Sequence, residues 1–169
     1  YVQVRGMPKR SGAEDFYLLN KLAKVGKVVS LEHPTIKISG RPSHRVPFGT
    51  GPALIKLQEM AEPLTEYTFY HPGIFAALKQ LINIVSGAEQ SIASHDVLFD
   101  QLRDRMASDV AEHVISTLRE LKLEKQFQHL KQKSECAQFI QAFHTWFDAF
   151  VTLRFIHIMR DKVYPNVTL

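Results

Sequence analysis

Between Asp96 and Leu130 the residues Leu98, Leu102, Met106, Val110, Val114, Leu118 and Leu121 recur at spacings of three and four. An α-helix turns once every 3.6 residues, so this spacing stacks them on one face, and so apolar a face needs a partner to cover it. Most of the chain is thereby committed to helix packed on helix. Ile74 to Val85 is another helical candidate. A last helix is expected to begin at Ser134-Glu135, with Phe139, Phe143, Phe147, Phe150 and Arg154 on a shared face and Trp146 and Phe155 alongside. Aromatic side chains bury large areas and dominate small cores, so this row reads as packing before it reads as a stacking platform for bases or sugars. Breaks are expected near Pro63, at His71-Pro72-Gly73, at Ser86-Gly87 and at Ser134.

The first third of the chain has a different texture. Phe16 to Val25 is a helical run ending at Gly26, with Ser11 as N-cap and Glu14 at capping-box spacing. Its residues Leu18, Leu22 and Val25, flanked by Phe16, Leu19 and Ala23, are expected to form a wide buried face. Lys27-Val28-Val29-Ser30-Leu31 and Thr35-Ile36-Lys37-Ile38-Ser39 are β-prone, and Glu32-His33-Pro34 between them breaks any helix, so a short strand pair is expected. Gly40 to Pro52 holds three glycines and three prolines and reads as an irregular loop. The resulting fold class is mainly α, with a short β-strand pair near the N-terminus and a helical bundle after it.

Composition narrows the function classes. Of 169 residues, 45% are hydrophobic and 22% charged, ordinary for a globular chain of single-domain size. The net charge of +4 biases towards an anionic ligand without demanding nucleic acid, and acids and bases alternate along residues 96–133 with no groove-reading motif. Nucleic-acid binding therefore ranks last. Cys136 is the single cysteine, so no internal disulfide forms, and a reducing, cytoplasmic setting is expected. Phe147 to Met159 is interrupted by Asp148, Arg154 and His157, too short and too polar to span a bilayer. Asn166-Val167-Thr168 matches a glycosylation sequon and is read as chance. The chain opens on Tyr1 and runs straight into the strand-like Val2-Gln3-Val4, which suggests a fragment.

The candidate chemistry lies before Pro52. Glu14 and Asp15 are adjacent carboxylates in a helix's first turn, where the dipole favours negative charge. Glu14 has a structural duty as the capping-box partner, whereas Asp15 has none and is placed to act as a general base towards a hydroxyl. Arg41, Ser43, His44 and Arg45 belong to a loop that ends in the glycine-rich Phe48-Gly49-Thr50-Gly51. Guanidinium groups suit phosphate oxygens, and glycine lets backbone approach closely, so this loop suits a phosphate-bearing ligand as well as it suits plain solvation. His44 has no second metal ligand at recognisable spacing, and the other seven histidines are read as surface or satisfied core residues. Cys136, just inside a helix start, has no base partner and is weak as a nucleophile. The chain has no GxxxxGKS/T, GxGxxG, CxxC, HExxH or GxSxG sequence.

Taken together, Gly12-Ala13-Glu14-Asp15-Phe16-Tyr17-Leu18-Leu19, Lys24-Val25-Gly26-Lys27-Val28 and the loop Arg41 to Gly51 resemble the acidic-pair segment of family 2 glycosyltransferases. The resemblance covers Ser11 to Gly51 and implies the acceptor-side end of a GT-A α/β catalytic domain at residues 1–51, followed by a helical region at 52–169. It implies sugar transfer from a nucleotide-sugar donor to an acceptor hydroxyl, with Asp15 as base, Glu14 supporting the helix start, and Arg41, Ser43, His44 and Arg45 binding substrate near the diphosphate. A divalent metal, Mg or Mn, is implied for the complete enzyme and none for this chain alone. The family's DxD motif belongs to an upstream half; residues 100–104 do not supply it, and QxxRW is absent. The expectation is therefore a C-terminal portion, inactive without its nucleotide-binding half. The alternative is a non-catalytic helical interaction module, forming a homo-oligomer through its helices.

Overall fold

The computed structural model describes residues 1–10, 12–88, 92, 94–130 and 136–168, with the side chain of Leu130 left aside. Among these residues the regular elements are helices only, and the chain divides into two units, Tyr1–Thr68 with Thr168, and Phe69–Val167.

In the first unit a 3-10 turn, Val2–Val4, precedes α1 (Glu14–Val25), α2 (Thr50–Glu59) and α3 (Pro63–Glu66). The 3-10 turn and α1 pack together: Val4 is buried, and Lys21 Nζ donates to the Val4 carbonyl at 3.4 Å. The Arg10 guanidinium lies 3.8 Å from the centre of the Tyr17 ring, a cation–π contact on the same helix. The wide buried face expected of α1 does not exist. Leu18 and Leu22 are half-buried, and Leu19 and Val25 are 51% and 55% exposed, because too little of this unit packs over them.

The expected strand pair is also overturned. Residues 27–31 and 35–39 are irregular, and no strand or sheet occurs among the described residues. β-propensity expresses fit to a pleated, paired surface, and two short runs gain little from each other without a third strand or a covering helix. No described residue of this unit supplies a third strand.

The second unit holds α4 (Pro72–Ser86), α5 (His95–Arg105), α6 (Ser108–Glu120), α7 (Leu123–Leu130), α8 (Cys136–Trp146) and α9 (Ala149–Lys162). Helix α6 is its axis, packing against α4, α5, α7 and α9. The reason is in its sequence: Ala111, Val114, Ile115, Thr117 and Leu118 are all buried, so two flanks of the helix face apolar neighbours. Thr117 is the single buried polar residue among those described, and its hydroxyl donates to Met159 Sδ on α9 at 3.3 Å. Every periodic residue between Leu98 and Leu121 is buried, apart from half-buried Val110.

That periodic stretch is three helices rather than one. Met106 takes an extended conformation between α5 and α6, and Lys122 takes φ 67° between α6 and α7. The breaks let the same apolar row fold back on itself and bury its own face, which one straight helix of that length is unable to do. The aromatic row breaks likewise at Phe147-Asp148, where Asp148 Oδ1 accepts from the Phe150 and Val151 amides at 3.0 and 3.2 Å and caps α9. Phe139, Phe143, Phe147 and Phe155 are buried as expected, while Phe150 is half-buried and Arg154 exposed. The expected start at Ser134-Glu135 lies outside the described residues.

Two further features close this unit. Phe69 and Val167 exchange backbone hydrogen bonds of 2.8 and 2.9 Å in an isolated antiparallel bridge, tying its first residue to its last. His71 stacks on Tyr164 with ring centres 5.0 Å apart and caps α4 by accepting the Gly73 amide at Nδ1, 2.9 Å away. No described helix is long and apolar enough to cross a membrane.

Candidate functional site

Glu14 and Asp15 occupy the first two positions of α1, as the acidic pair requires. The Ser11 of the expected capping box lies outside the described residues; the residue before the helix is Ala13, in the left-handed region at φ 57° with no side-chain cap. Glu14 is thereby the first helical residue rather than the third, out of register for reaching back to an N-cap amide. Asp15 is exposed. Its Oδ1 accepts the Phe16 amide at 2.7 Å, and its Oδ2 bonds to no described residue. One carboxylate oxygen is therefore held by the backbone while the other faces solvent, which suits proton transfer to a docked group.

Arg41, His44 and Arg45 are exposed and Ser43 is half-buried. The Arg41 amide donates to the Ser39 carbonyl at 3.0 Å, and the Ser43 hydroxyl accepts the Arg45 amide at 3.4 Å. These local bonds shape the loop while leaving the guanidinium groups to solvent.

Two glycines show how the loop closes. A Cβ built on Gly12 would stand 2.9 Å from Phe48 Cζ and 3.4 Å from Val46 Cγ1, so the loop's apolar residues lie directly on the backbone that leads into Glu14-Asp15. A Cβ on Gly51 would meet the Ser43 carbonyl oxygen at 2.5 Å, so the two ends of the loop are in backbone contact at the start of α2. The structure thus brings the apolar residues Val46 and Phe48 of the cationic loop onto Gly12, two residues before the acidic pair, within the first unit. Sequence reasoning had no access to Gly12 and Phe48 as the joint; the signal present was a glycine and an apolar aromatic in two otherwise polar segments.

No group of three or more His, Cys, Asp or Glu side chains arranged for a metal ion occurs among the described residues. The donor set at the acidic pair is two adjacent carboxylates, one of them bonded to an amide; the divalent metal that the resemblance implies is one of the complete enzyme.

The remaining candidates fall elsewhere. Cys136 is the first residue of α8, and its thiol donates to the Ala88 carbonyl at 2.8 Å, an anchoring role. His157 Nε2 lies 3.0 Å from the Tyr70 hydroxyl, and His71 is the α4 cap, so both are satisfied structurally. Partial desolvation holds His144 below its ordinary pKa, and its Nε2 lies 3.3 Å from Ser86 Oγ. No protein-family model, curated protein or solved structure matches this chain.

Proposed function

We propose that the first unit is the acceptor-side part of a glycosyltransferase, working with a nucleotide-binding part to transfer a sugar from a nucleotide-sugar donor to an acceptor hydroxyl. What supports the reading is the packing of Val46 and Phe48, from the same loop as Arg41, His44 and Arg45, against Gly12, two residues before Glu14. Inverting transfer needs a carboxylate base and cations together. As the acceptor oxygen bonds to the anomeric carbon, its proton passes to Oδ2 of Asp15. The bond from that carbon to the diphosphate breaks, and the leaving group takes the electron pair. Arg41 and Arg45 meet its charge, His44 and Ser43 line the same loop, and Glu14 adds negative charge at the helix start.

The test is sugar transfer by the full-length protein over a panel of UDP- and GDP-sugars. Asp15→Asn is expected to lower the rate by roughly 10²–10⁴, the usual range for losing a general base. Glu14→Gln should cost less than tenfold. Transfer at the normal rate with Asp15→Asn would refute the assignment.

The second unit supports a different reading, a non-catalytic helical interaction module. Its hydrophobic core is drawn entirely from residues 74–159, so it has the contents of an independently folding element, and Phe75 on α4 stays 47% exposed. Light scattering of wild type against Phe75→Ser separates an oligomerising module from a monomeric one.

A further inference from the structure

Residues 69–71 open the second unit, and each is held by the C-terminal part of that unit. Phe69 bridges to Val167 through its backbone, the Tyr70 hydroxyl lies 3.0 Å from His157 Nε2 on α9, and the His71 ring stacks on Tyr164. Two of these residues are held through an imidazole, and the two imidazoles answer acid differently.

The bond at His71 has a fixed direction. Its partner is the Gly73 amide, which only donates, so Nδ1 is the unprotonated, accepting nitrogen and the ring proton sits on Nε2. A second proton turns Nδ1 into a donor aimed at a donor. It also places a cation at the N-terminus of α4, where the helix dipole disfavours positive charge. The pair of Tyr70 and His157 has no such direction: a hydroxyl both donates and accepts, so it holds the neutral ring as donor and the protonated ring as acceptor.

Among the described residues nothing beside His71 offsets the added charge. The group facing the ring is the Tyr164 phenol, the first turn of α4 has no acidic residue, and no carboxylate pairs with His71. The charges of α9 are engaged with others: Arg160 bonds Asp161 and lies 6.0 Å from the centre of the Tyr70 ring, and Lys162 is paired with Glu120 of α6. The Tyr164 face attracts a cation, yet it supplies no acceptor for the Gly73 amide. A Cβ built on Gly73 would stand 2.9 Å from His71 Nδ1 and 3.1 Å from Tyr164 Cε1, so both rings rest directly on the backbone of this turn.

We propose that His71 is a proton-operated latch on the second unit. The neutral ring closes the first turn of α4, and the protonated ring opens it and frees the Gly73 amide. The bridge at Phe69 and the reversible bond at Tyr70 stay in place, so acid opens the start of α4 and not the unit. His144 plays no part in it, since its partner is Ser86 at the other end of the same helix. The inference stands apart from the sugar-transfer reading.

The test is a titration of the whole ¹⁵N-labelled chain from pH 8 to pH 5, the span in which imidazoles change charge. Long-range nitrogen–proton correlations report the protonation of each His71 nitrogen. The exchange rate of the Gly73 amide, divided by that of an unstructured peptide at the same pH, reports the cap. At the alkaline end Nδ1 is expected to be unprotonated. As the ring takes its second proton, protection of Gly73 should fall roughly tenfold, from losing a cap and gaining a cation at the helix start, with both midpoints coinciding. His71→Asn keeps a capping oxygen that does not titrate, so its Gly73 protection should stay level throughout. His71→Ala should leave the amide unprotected at every pH. The proposal is overturned if Nδ1 carries the proton at the alkaline end, if Gly73 stays protected while His71 protonates, or if His71→Asn shows the same fall.

Discussion

Phe143→Ala is the sharpest test of the second unit. Phe143 has no exposed surface and sits at the meeting point of the aromatic row. Its ring stacks on Phe147 at 5.5 Å, meets Trp146 edge-on at 5.6 Å and lies 6.5 Å from Phe139. Truncation removes a fully buried ring and leaves a cavity bounded by other rings that are themselves packed. Buried Phe→Ala changes cost about 3–5 kcal/mol, and aromatic pairs add about 0.5–1.5 kcal/mol beyond area, so the upper part of that range is expected here. For a unit of this size, such a loss lowers Tm by about 15–30 °C. Trp146 is the chain's single tryptophan and touches the altered site, so its fluorescence during urea unfolding follows this unit specifically. Circular dichroism provides the second probe. Phe143→Leu should recover most of the stability by refilling the volume. A loss below about 1.5 kcal/mol at unchanged m-value would mean that the row is not the core, since a cavity of that size has no low-cost relaxation.

Other expectations follow from individual contacts. Gly51→Ala drives a Cβ into the Ser43 backbone carbonyl, which has to shift, so amide chemical shifts of residues 43–51 should move as a block while those of α9 stay put; shifts confined to position 51 would mean the loop ends do not touch. Asp148→Ala removes the cap of α9 and should cost about 0.5–2 kcal/mol in chemical denaturation, with Asp148→Asn retaining most of it, and a neutral Ala variant would dismiss the cap. Desolvation lowers the His144 pKa in the fold, so below its ordinary 6.5 the unfolded chain takes up a proton that the native state refuses. Stability should therefore decline as pH falls from 6.5 and level off once native His144 is protonated; His144→Gln should remove that decline. Glu112, lowered chiefly by its hydrogen bond from Arg103, acts in a separate window, its contribution being lost as pH falls through and below 4.5. A titration midpoint unaltered by His144→Gln would assign the acid sensitivity elsewhere.

The helical nature of residues 72–162 and most of their core are written in the local spacing of apolar residues. Leu98, Leu102, Met106, Val114, Leu118 and Leu121 are buried as their period requires, because one helical face is fixed by chain geometry alone. The interruptions are not local in the same sense. Met106 and Lys122 carry no glycine or proline signal, and the helix ends there because folding back buries more apolar surface than continuing. The opposite failure occurs at Val28–Ser39, where β-branched residues invite strands but pairing needs a neighbour that local sequence does not specify.

The site divides along the same line. That Glu14 and Asp15 begin a helix, and that Arg41–Gly51 is a loop rich in cations and glycine, follows from the order of residues. That the loop packs onto the approach to this helix does not: it depends on Phe48 reaching Gly12, a contact between residues far apart in the chain, whereas the approach of Gly51 to the Ser43 carbonyl is local to the loop. The start of the helix also emerged from the fold: Ala13 rather than Ser11 precedes it, and the Phe16 amide binds one oxygen of Asp15. Periodicity and residue type act over one or two turns, so they set the helices and their faces; proximity between distant segments is a property of packing, where shape and available space decide.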